Sequence, residues 1–112
     1  MNSPDEMLPL TEAFYYILIA LYKSPSHGYG IMQDAEHMSG GRVRIGAGTL
    51  YTALNTLQNK GLIEPHAGPQ GTDTRRKMYA ITLLGRQVAQ AEIIRLEELS
   101  KVGRRMISSE TE

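Results

Sequence analysis

The sequence predicts a mainly α-helical (α+β) fold that carries one small β-hairpin and ends in a long helix. In four segments, apolar residues recur every three or four positions, which is the spacing of one helical face. Two short extended stretches, 62–66 and 75–81, flank a loop that is rich in Gly, Pro and Thr. The last periodic segment, 83–107, contains two glycines and no proline. These patterns predict three short helices, a hairpin and one long helix.

Size and composition narrow the classes of function. A chain of 112 residues with 41% hydrophobic residues fits one domain and leaves no room for a separate catalytic domain. Phe14–Tyr22 is shorter than the ~18 apolar residues of a membrane span, and the acidic N-terminal segment does not resemble a signal peptide. We therefore expect a cytoplasmic protein without a membrane partner. The absence of Cys excludes disulfides, thiolate metal sites and cysteine nucleophiles.

Charge is distributed unevenly along a chain whose formal net charge is zero. Residues 42–90 contain seven basic and two acidic residues, a net charge of +5, and the remainder carries −5. Such segregation is typical of a domain that places one face on phosphate groups.

The first helix is predicted over about residues 12–23, after a flexible N-terminal arm at 1–10. Thr11 is its expected N-cap. Apolar residues, including Phe14, Tyr15 and Leu18, cover most of its circumference. A helix of this kind is covered on more than one side, and in so small a chain a second subunit is one candidate cover.

The first helix is followed by a turn at Ser24–Gly28. A second helix comes next and ends at Ser39-Gly40-Gly41. His27, Asp34 and His37 could be imagined as metal ligands, but only Asp34 and His37 lie one turn apart. The other interpretation makes them capping and surface residues, and we predict no metal and no cofactor. Residues 42–45 alternate charged and apolar, as a very short strand or an extended link does.

The central helix, predicted from Thr49 to Lys60, has two different faces. Leu50, Leu54 and Leu57 share one face, which must be buried. The opposite face, which includes Thr52 and Asn55, is small, polar and uncharged. It suits hydrogen bonding to base edges of DNA. The alternative is an uncharged solvent-exposed surface that has no binding role, which would give the same pattern.

The beginning of this helix is rich in glycine, and such an end can bind phosphate through backbone N–H groups. Gly46-Ala47-Gly48 lacks the further glycine of a dinucleotide-binding fingerprint and the Gly-Lys-Ser/Thr ending of a phosphate-binding loop. A nucleotide site is therefore disfavoured. At the other end, Gly61 is expected to close the helix in a left-handed conformation.

Two helices joined by a short link, followed by a hairpin with a basic flank, form a winged helix-turn-helix pattern. Arg75, Arg76 and Lys77 lie on the returning arm of this hairpin, where cations can contact the phosphate backbone. The alternative is a solvated run of charges.

The long last helix, with Thr82 as its expected cap, begins where the winged-helix unit is complete. One apolar stripe comprises Ala89, Ile93, Leu96, Leu99, Val102 and Met106. A long amphipathic helix with no remaining core in its own subunit predicts association with a partner helix. Folding back onto its own domain is the alternative.

Ordered sequence blocks over residues 11–90 support this interpretation. They are His27-Gly28-Tyr29-Gly30-Ile31, Gly48-Thr49-Leu50-Tyr51, Leu54, Leu57, Gly61-Leu62-Ile63, Tyr79-Ala80-Ile81-Thr82 and Gly85-Arg86. In these blocks the chain resembles the PadR family of winged-helix transcriptional regulators. It departs from the family pattern at Thr52, where a proline is common, at Ala80, where a polar residue is frequent, and in having no Trp.

The resemblance implies a homodimeric DNA-binding repressor with a winged-helix domain at 11–82 and a C-terminal dimerisation helix with a frayed tail at 83–112. The expected dimer interface comprises Phe14, Tyr15, Leu18, Ile93, Leu96, Leu99, Val102 and Met106. A small-molecule effector is often bound near this interface in the family, and Phe14, Tyr15 and Tyr16 are the candidate lining of an effector pocket.

Our hypothesis from the sequence is a regulator that binds double-stranded DNA at a pseudo-palindromic operator. The expected DNA-binding residues are Arg42, Arg44, Ala47, Gly48, Thr49, Tyr51, Thr52, Asn55, Arg75, Arg76 and Lys77. The rival hypothesis is a winged-helix module that binds a protein rather than DNA. An enzyme is not expected, because no Cys exists and the three His residues lie in separate segments.

Overall fold

A computed structural model of the chain describes residues 3–67 and 77–110. Within these ranges, four α-helices and three short strands follow one another. They are α1 (Glu12–Leu21), β1 (Ser26–His27), α2 (Gly28–Met38), α3 (Ala47–Asn59), β2 (Ile63–His66), β3 (Met78–Ile81) and α4 (Leu83–Glu110). The predicted class, mainly α with a small β element, is confirmed.

The core lies between α1, α2, α3 and the sheet. Leu50, Leu54 and Leu57 of α3, predicted to share a buried face, are at most 1% exposed. They contact a core that includes Ile17 of α1 and Ile31 of α2. Burying one such side chain stabilises the fold by roughly 1.5–3 kcal/mol, so this stripe fixes which face of α3 points outward.

The predicted helix caps are present. Thr11 Oγ1 accepts a hydrogen bond from the Phe14 N–H at 3.1 Å, and Thr82 Oγ1 accepts one from the Gly85 N–H at 3.0 Å. Gly61 follows α3 with a φ of 77°, the left-handed conformation expected of it. Helix α3 itself begins at Ala47, earlier than the predicted Thr49, because Gly46 serves as a cap without a side chain.

The sheet has one more strand than the predicted hairpin. Its order is β1-β3-β2, both pairings are antiparallel, and Ser26 and His27 of β1 face Tyr79 and Met78 of β3. The sequence predicts only a turn here, because a strand of two residues carries no periodicity. Residues 42–45 form an extended link rather than a strand.

The N-terminal segment differs from the predicted flexible arm. A 3₁₀ turn at Pro4–Met7 lies beside α4, and the Leu10 N–H donates to a carboxylate oxygen of Glu92 at 2.9 Å. Met7, Leu8 and Leu10 contact the hydrophobic core. The described part of this segment is therefore folded onto the domain.

The first turns of α4 also belong to the core of their own subunit. Val88 and Ala89 are fully buried, and the Glu92 side chain is 2% exposed. The buried residues of the domain thus include Val88, Ala89 and Glu92, which lie beyond the predicted boundary at residue 83. After Glu92, most residues of α4 are exposed.

Candidate nucleic-acid interface

Helix α3 presents an exposed surface without charged side chains. The residues predicted to contact DNA from this helix are all exposed: Ala47, Gly48, Thr49, Tyr51, Thr52 and Asn55. Because Leu50, Ala53, Leu54 and Leu57 are buried on the other side, the helix cannot rotate without exposing its apolar stripe. The surface offers hydroxyl, amide and backbone groups, which can donate and accept hydrogen bonds at base edges.

Tyr51 links this surface to the beginning of α2. A Cβ atom added to Gly28 would lie 3.0 Å from the Tyr51 hydroxyl, so the tyrosine closely approaches the backbone at the start of α2. Tyr51 is nevertheless 53% exposed. Gly28 was not among the predicted site residues, although its place in the Gly-Tyr-Gly block was a signal for such a close approach.

The N-terminal turn of α3 is open to solvent. Gly46 has no side chain to cap the helix, and Ala47, Gly48 and Thr49 are exposed. The first N–H groups of a helix have no acceptor within the helix, and their dipoles favour an anion. This end of α3 can therefore hold a phosphate oxygen.

The two arginines of the link before α3 are paired with carboxylates. Arg42 Nη1 donates to both carboxylate oxygens of Glu12, at 3.1 and 3.3 Å, and Arg44 Nε lies 3.8 Å from Glu36. The pKa of Arg42 is raised, first by Glu12 and then by Tyr16. Charges that are segregated in the sequence are thus partly compensated in space.

The basic flank of the hairpin is described only in part. Strands β2 and β3 pair from Ile63 opposite Ile81 to His66 opposite Met78, and Lys77 is exposed just beyond the last pair. Arg75 and Arg76 lie outside the described residues. Their predicted contacts stay predictions.

A groove of about 520 Å³ runs beside the exposed surface of α3. It is lined by Thr11, Ala13, Phe14, Gly48, Thr49, Thr52, Ala53 and Thr56. The beginning of α1 therefore stands next to the surface that was predicted to read DNA. Phe14 also lines this groove, and its predicted role in a dimer interface stays a prediction.

The predicted interface residues of α4 are accessible. Ile93, Leu96, Leu99, Val102 and Met106 are between 37% and 64% exposed. Tyr15 lies beside them, in a groove of about 460 Å³ that Ile93 and Leu96 also line. Leu18 is a correction: it is 0% exposed and belongs to the core of its own subunit, so its side chain offers no surface to a partner.

The three aromatic residues proposed for an effector pocket follow one another in α1. The Tyr15 and Tyr16 rings meet edge to face with centroids 5.8 Å apart, whereas Phe14 lines the groove beside α3. Because each residue turns about 100° around the helix, Phe14 and Tyr16 point to nearly opposite sides of α1. The effector pocket stays a prediction.

His27 has the capping role that was the alternative to metal binding. Its Nδ1 accepts a hydrogen bond from the Gly30 N–H at 3.1 Å and so caps α2. Among the described residues, no three His, Cys, Asp or Glu side chains come together as metal ligands. None of the helices in this part of the chain combines the length and apolarity needed to cross a bilayer.

Comparison with known proteins gives a family match over most of the chain. The model of the transcriptional regulator PadR-like family matches residues 17–91. This range includes α2, α3 and the hairpin strands, together with the core-forming turns of α4.

Individual relatives agree with this match. An uncharacterised 37.1 kDa protein of a Streptomyces fradiae transposon is 35% identical over 89 residues, which are 80% of this chain but only 24% of that protein. A transcriptional regulator from Clostridium thermocellum superposes with a TM-score of 0.72 at 28% identity, over 83% of this chain and 87% of the other. PadR of Bacillus subtilis, solved in complex with operator DNA, gives a TM-score of 0.66 at 29% identity, over 77% of this chain and 49% of that one.

Proposed function

The chain belongs to the PadR-like family of transcriptional regulators, and from this premise we propose that it is a sequence-specific DNA-binding repressor acting as a homodimer on a pseudo-palindromic operator. The observation that carries the proposal is the exposed, uncharged surface of α3. A helix that met only solvent would be expected to carry Lys and Glu there, whereas this one carries hydroxyl and amide groups on a rigidly held face.

Base reading is assigned to α3. In the proposed complex the helix enters the major groove, where the Asn55 amide can pair with the N6 and N7 positions of adenine and Thr52 can contact a neighbouring base. Both side chains are exposed on the side of α3 opposite its buried leucines. Two recognition helices of a dimer would meet half-sites about 34 Å apart.

Phosphate binding is assigned to the groups around this helix. The open first turn of α3 and the Tyr51 hydroxyl can each bind a phosphate oxygen. Lys77, together with Arg75 and Arg76, supplies positive charge from the hairpin. Such contacts fix the orientation of the protein on the duplex without reading its sequence. The solved operator complex of the Bacillus subtilis relative supports DNA as the partner.

A small-molecule effector is proposed to bind between α1 and α4. Tyr15, one of the three aromatic candidates, lies beside the exposed Ile93 and Leu96. A ligand bound there would contact α1 and α4 together, and it would relieve repression only if it bound the DNA-free arrangement more tightly.

The test compares Asn55→Ala with Lys77→Ala on two duplexes, one selected from a random pool and one scrambled. Asn55→Ala should weaken binding to the selected duplex by about 1–3 kcal/mol and leave the scrambled duplex unaffected. Lys77→Ala should weaken both duplexes similarly and reduce the slope of log K against log salt by about 1. Fluorescence anisotropy at several salt concentrations measures all four cases.

Two results would count against the proposal. If Asn55→Ala lowers the affinity for both duplexes equally, Asn55 does not recognise a base. Absence of salt-dependent binding to any duplex by the wild-type protein would favour the rival hypothesis, a winged-helix module that binds protein.

A further inference from the structure

The ion pair between Arg42 and Glu12 joins the link before α3 to the first turn of α1. The two N···O distances are 3.1 and 3.3 Å, and the side chains are 64% and 62% exposed. Exposed pairs of this kind contribute little to stability, commonly 0–1 kcal/mol. The pair therefore has little value as a structural clamp and can be exchanged for another partner.

The position of this pair places it at the edge of the proposed DNA-binding surface. Glu12 is flanked in sequence by Thr11 and Ala13, which line the groove beside Thr49 and Thr52. Arg42 precedes Gly46, the cap of α3, by four residues, so their Cα atoms are at most about 14 Å apart. A duplex seated on α3 would bring its phosphates near both charges.

We infer that Glu12 competes with DNA phosphates for Arg42 and thereby lowers the affinity of this surface for every duplex, whatever its sequence. The inference rests on the proposed function. A carboxylate and a phosphate oxygen are alternative acceptors for the same guanidinium, and Arg binds both well. When Arg42 turns to a phosphate, Glu12 is left unpaired near a polyanion, and the repulsion opposes binding.

As a consequence, phosphate contacts contribute less to DNA affinity, and base contacts contribute relatively more. Phosphate contacts supply most of the affinity for non-specific DNA, which competes with an operator in great excess. An acidic residue beside a phosphate-binding arginine reduces that sequence-independent part. The contacts of α3 with base edges are unchanged, so recognition of the operator depends more on them.

The experiment measures binding of full-length wild-type protein and Glu12→Gln to the selected and scrambled duplexes over a range of salt concentrations. Glu12→Gln should raise the affinity for both duplexes by the same factor, about two- to fivefold, as expected for one exposed charge. It should also steepen the salt slope by up to about 0.9, because the positive charge of Arg42 is then no longer offset by Glu12 at the duplex. Arg42→Gln combined with Glu12→Gln should abolish both gains.

Glu98→Gln is the matched control, because it removes one carboxylate from an exposed position on α4. If it raises affinity as much as Glu12→Gln does, the effect is one of net charge and the inference is wrong. An unchanged salt slope in Glu12→Gln, accompanied only by a shift in melting temperature, would mean that the pair is structural. Failure of the wild-type protein to bind either duplex would instead overturn the proposed function itself.

Discussion

At the scale of single residues, the buried carboxylate of Glu92 connects two distant segments of the chain. Its side chain is 2% exposed, accepts from Arg95 Nε at 2.5 Å and Nη2 at 3.0 Å, and accepts from the Leu10 N–H at 2.9 Å. A buried carboxylate is tolerated only when such donors replace its water. Glu92 thus ties the N-terminal segment to α4 at the point where the helix leaves the core.

Replacing Glu92 by Gln should destabilise the fold by about 1–2 kcal/mol at neutral pH, because a neutral amide holds Arg95 less well. The hydrogen bond from Arg95 lowers the pKa of Glu92 in the folded state, against the effect of burial. The stabilisation is therefore present above the pKa of the unfolded chain and is lost as the pH falls through the lower pKa of the folded state. Urea unfolding at several pH values should show the two proteins converging in acid. Glu97→Gln, at an exposed position, is the control and should stay within ~0.5 kcal/mol of wild type.

At the scale of elements, the packing of α4 against the exit of α3 depends on a glycine. A Cβ atom on Gly85 would overlap the carbonyl oxygen of Leu62 and lie 2.7 Å from Ile81 Cγ1. Thr82 reinforces the same junction, since its hydroxyl donates to the Gly61 carbonyl at 2.6 Å. The start of α4, the end of α3 and β3 are thereby held as one unit.

Gly85→Ala should lower the free energy of unfolding by about 1–3 kcal/mol, because the backbone contact cannot relax by a change of side-chain rotamer. Gly103 provides a control on the same helix, where an added Cβ meets nothing within 4 Å. Gly103→Ala should stabilise the helix by about 0.5–1 kcal/mol. Thermal unfolding of both variants tests the contrast, and equal effects would contradict the close approach at Gly85.

Elements with local signals were predictable from the sequence, and those made by distant partners were not. The stripe of Leu50, Leu54 and Leu57 located α3 and its exposed face, and hydroxyl caps located the starts of α1 and α4. Strand β1 depends on pairing with β3, about fifty residues further along, and the Leu10–Glu92 hydrogen bond spans 82 positions. Periodicity also failed for Leu18, because a helix that is apolar nearly all round does not reveal which side faces its own core.

At the scale of the whole molecule, the described chain is elongated because α4 continues past the domain. The principal extents are 64 × 36 × 23 Å, and a helix of 28 residues is itself roughly 42 Å long. Beyond Glu92 the exposed apolar residues include Ile107 in addition to those predicted. Large apolar side chains along half of a helix are costly to leave in water, which favours a second copy as their cover.

If two copies meet through this part of α4, a charge at its centre should separate them. Leu99→Glu should change the mass in sedimentation from about twice 12.4 kDa to a single chain at micromolar concentration. Because the core of the domain ends near Glu92, the variant should keep its melting temperature. It should also keep its affinity for a duplex with one half-site, but it should lose the additional affinity that the wild-type protein has for a duplex with two half-sites. Lys101→Glu, on nearly the opposite side of α4 from Leu99, places a carboxylate at the same level of the helix but off the apolar stripe and should remain a dimer. A wild-type protein that sediments as one chain would remove the dimer and leave the exposed face of α4 to a different partner.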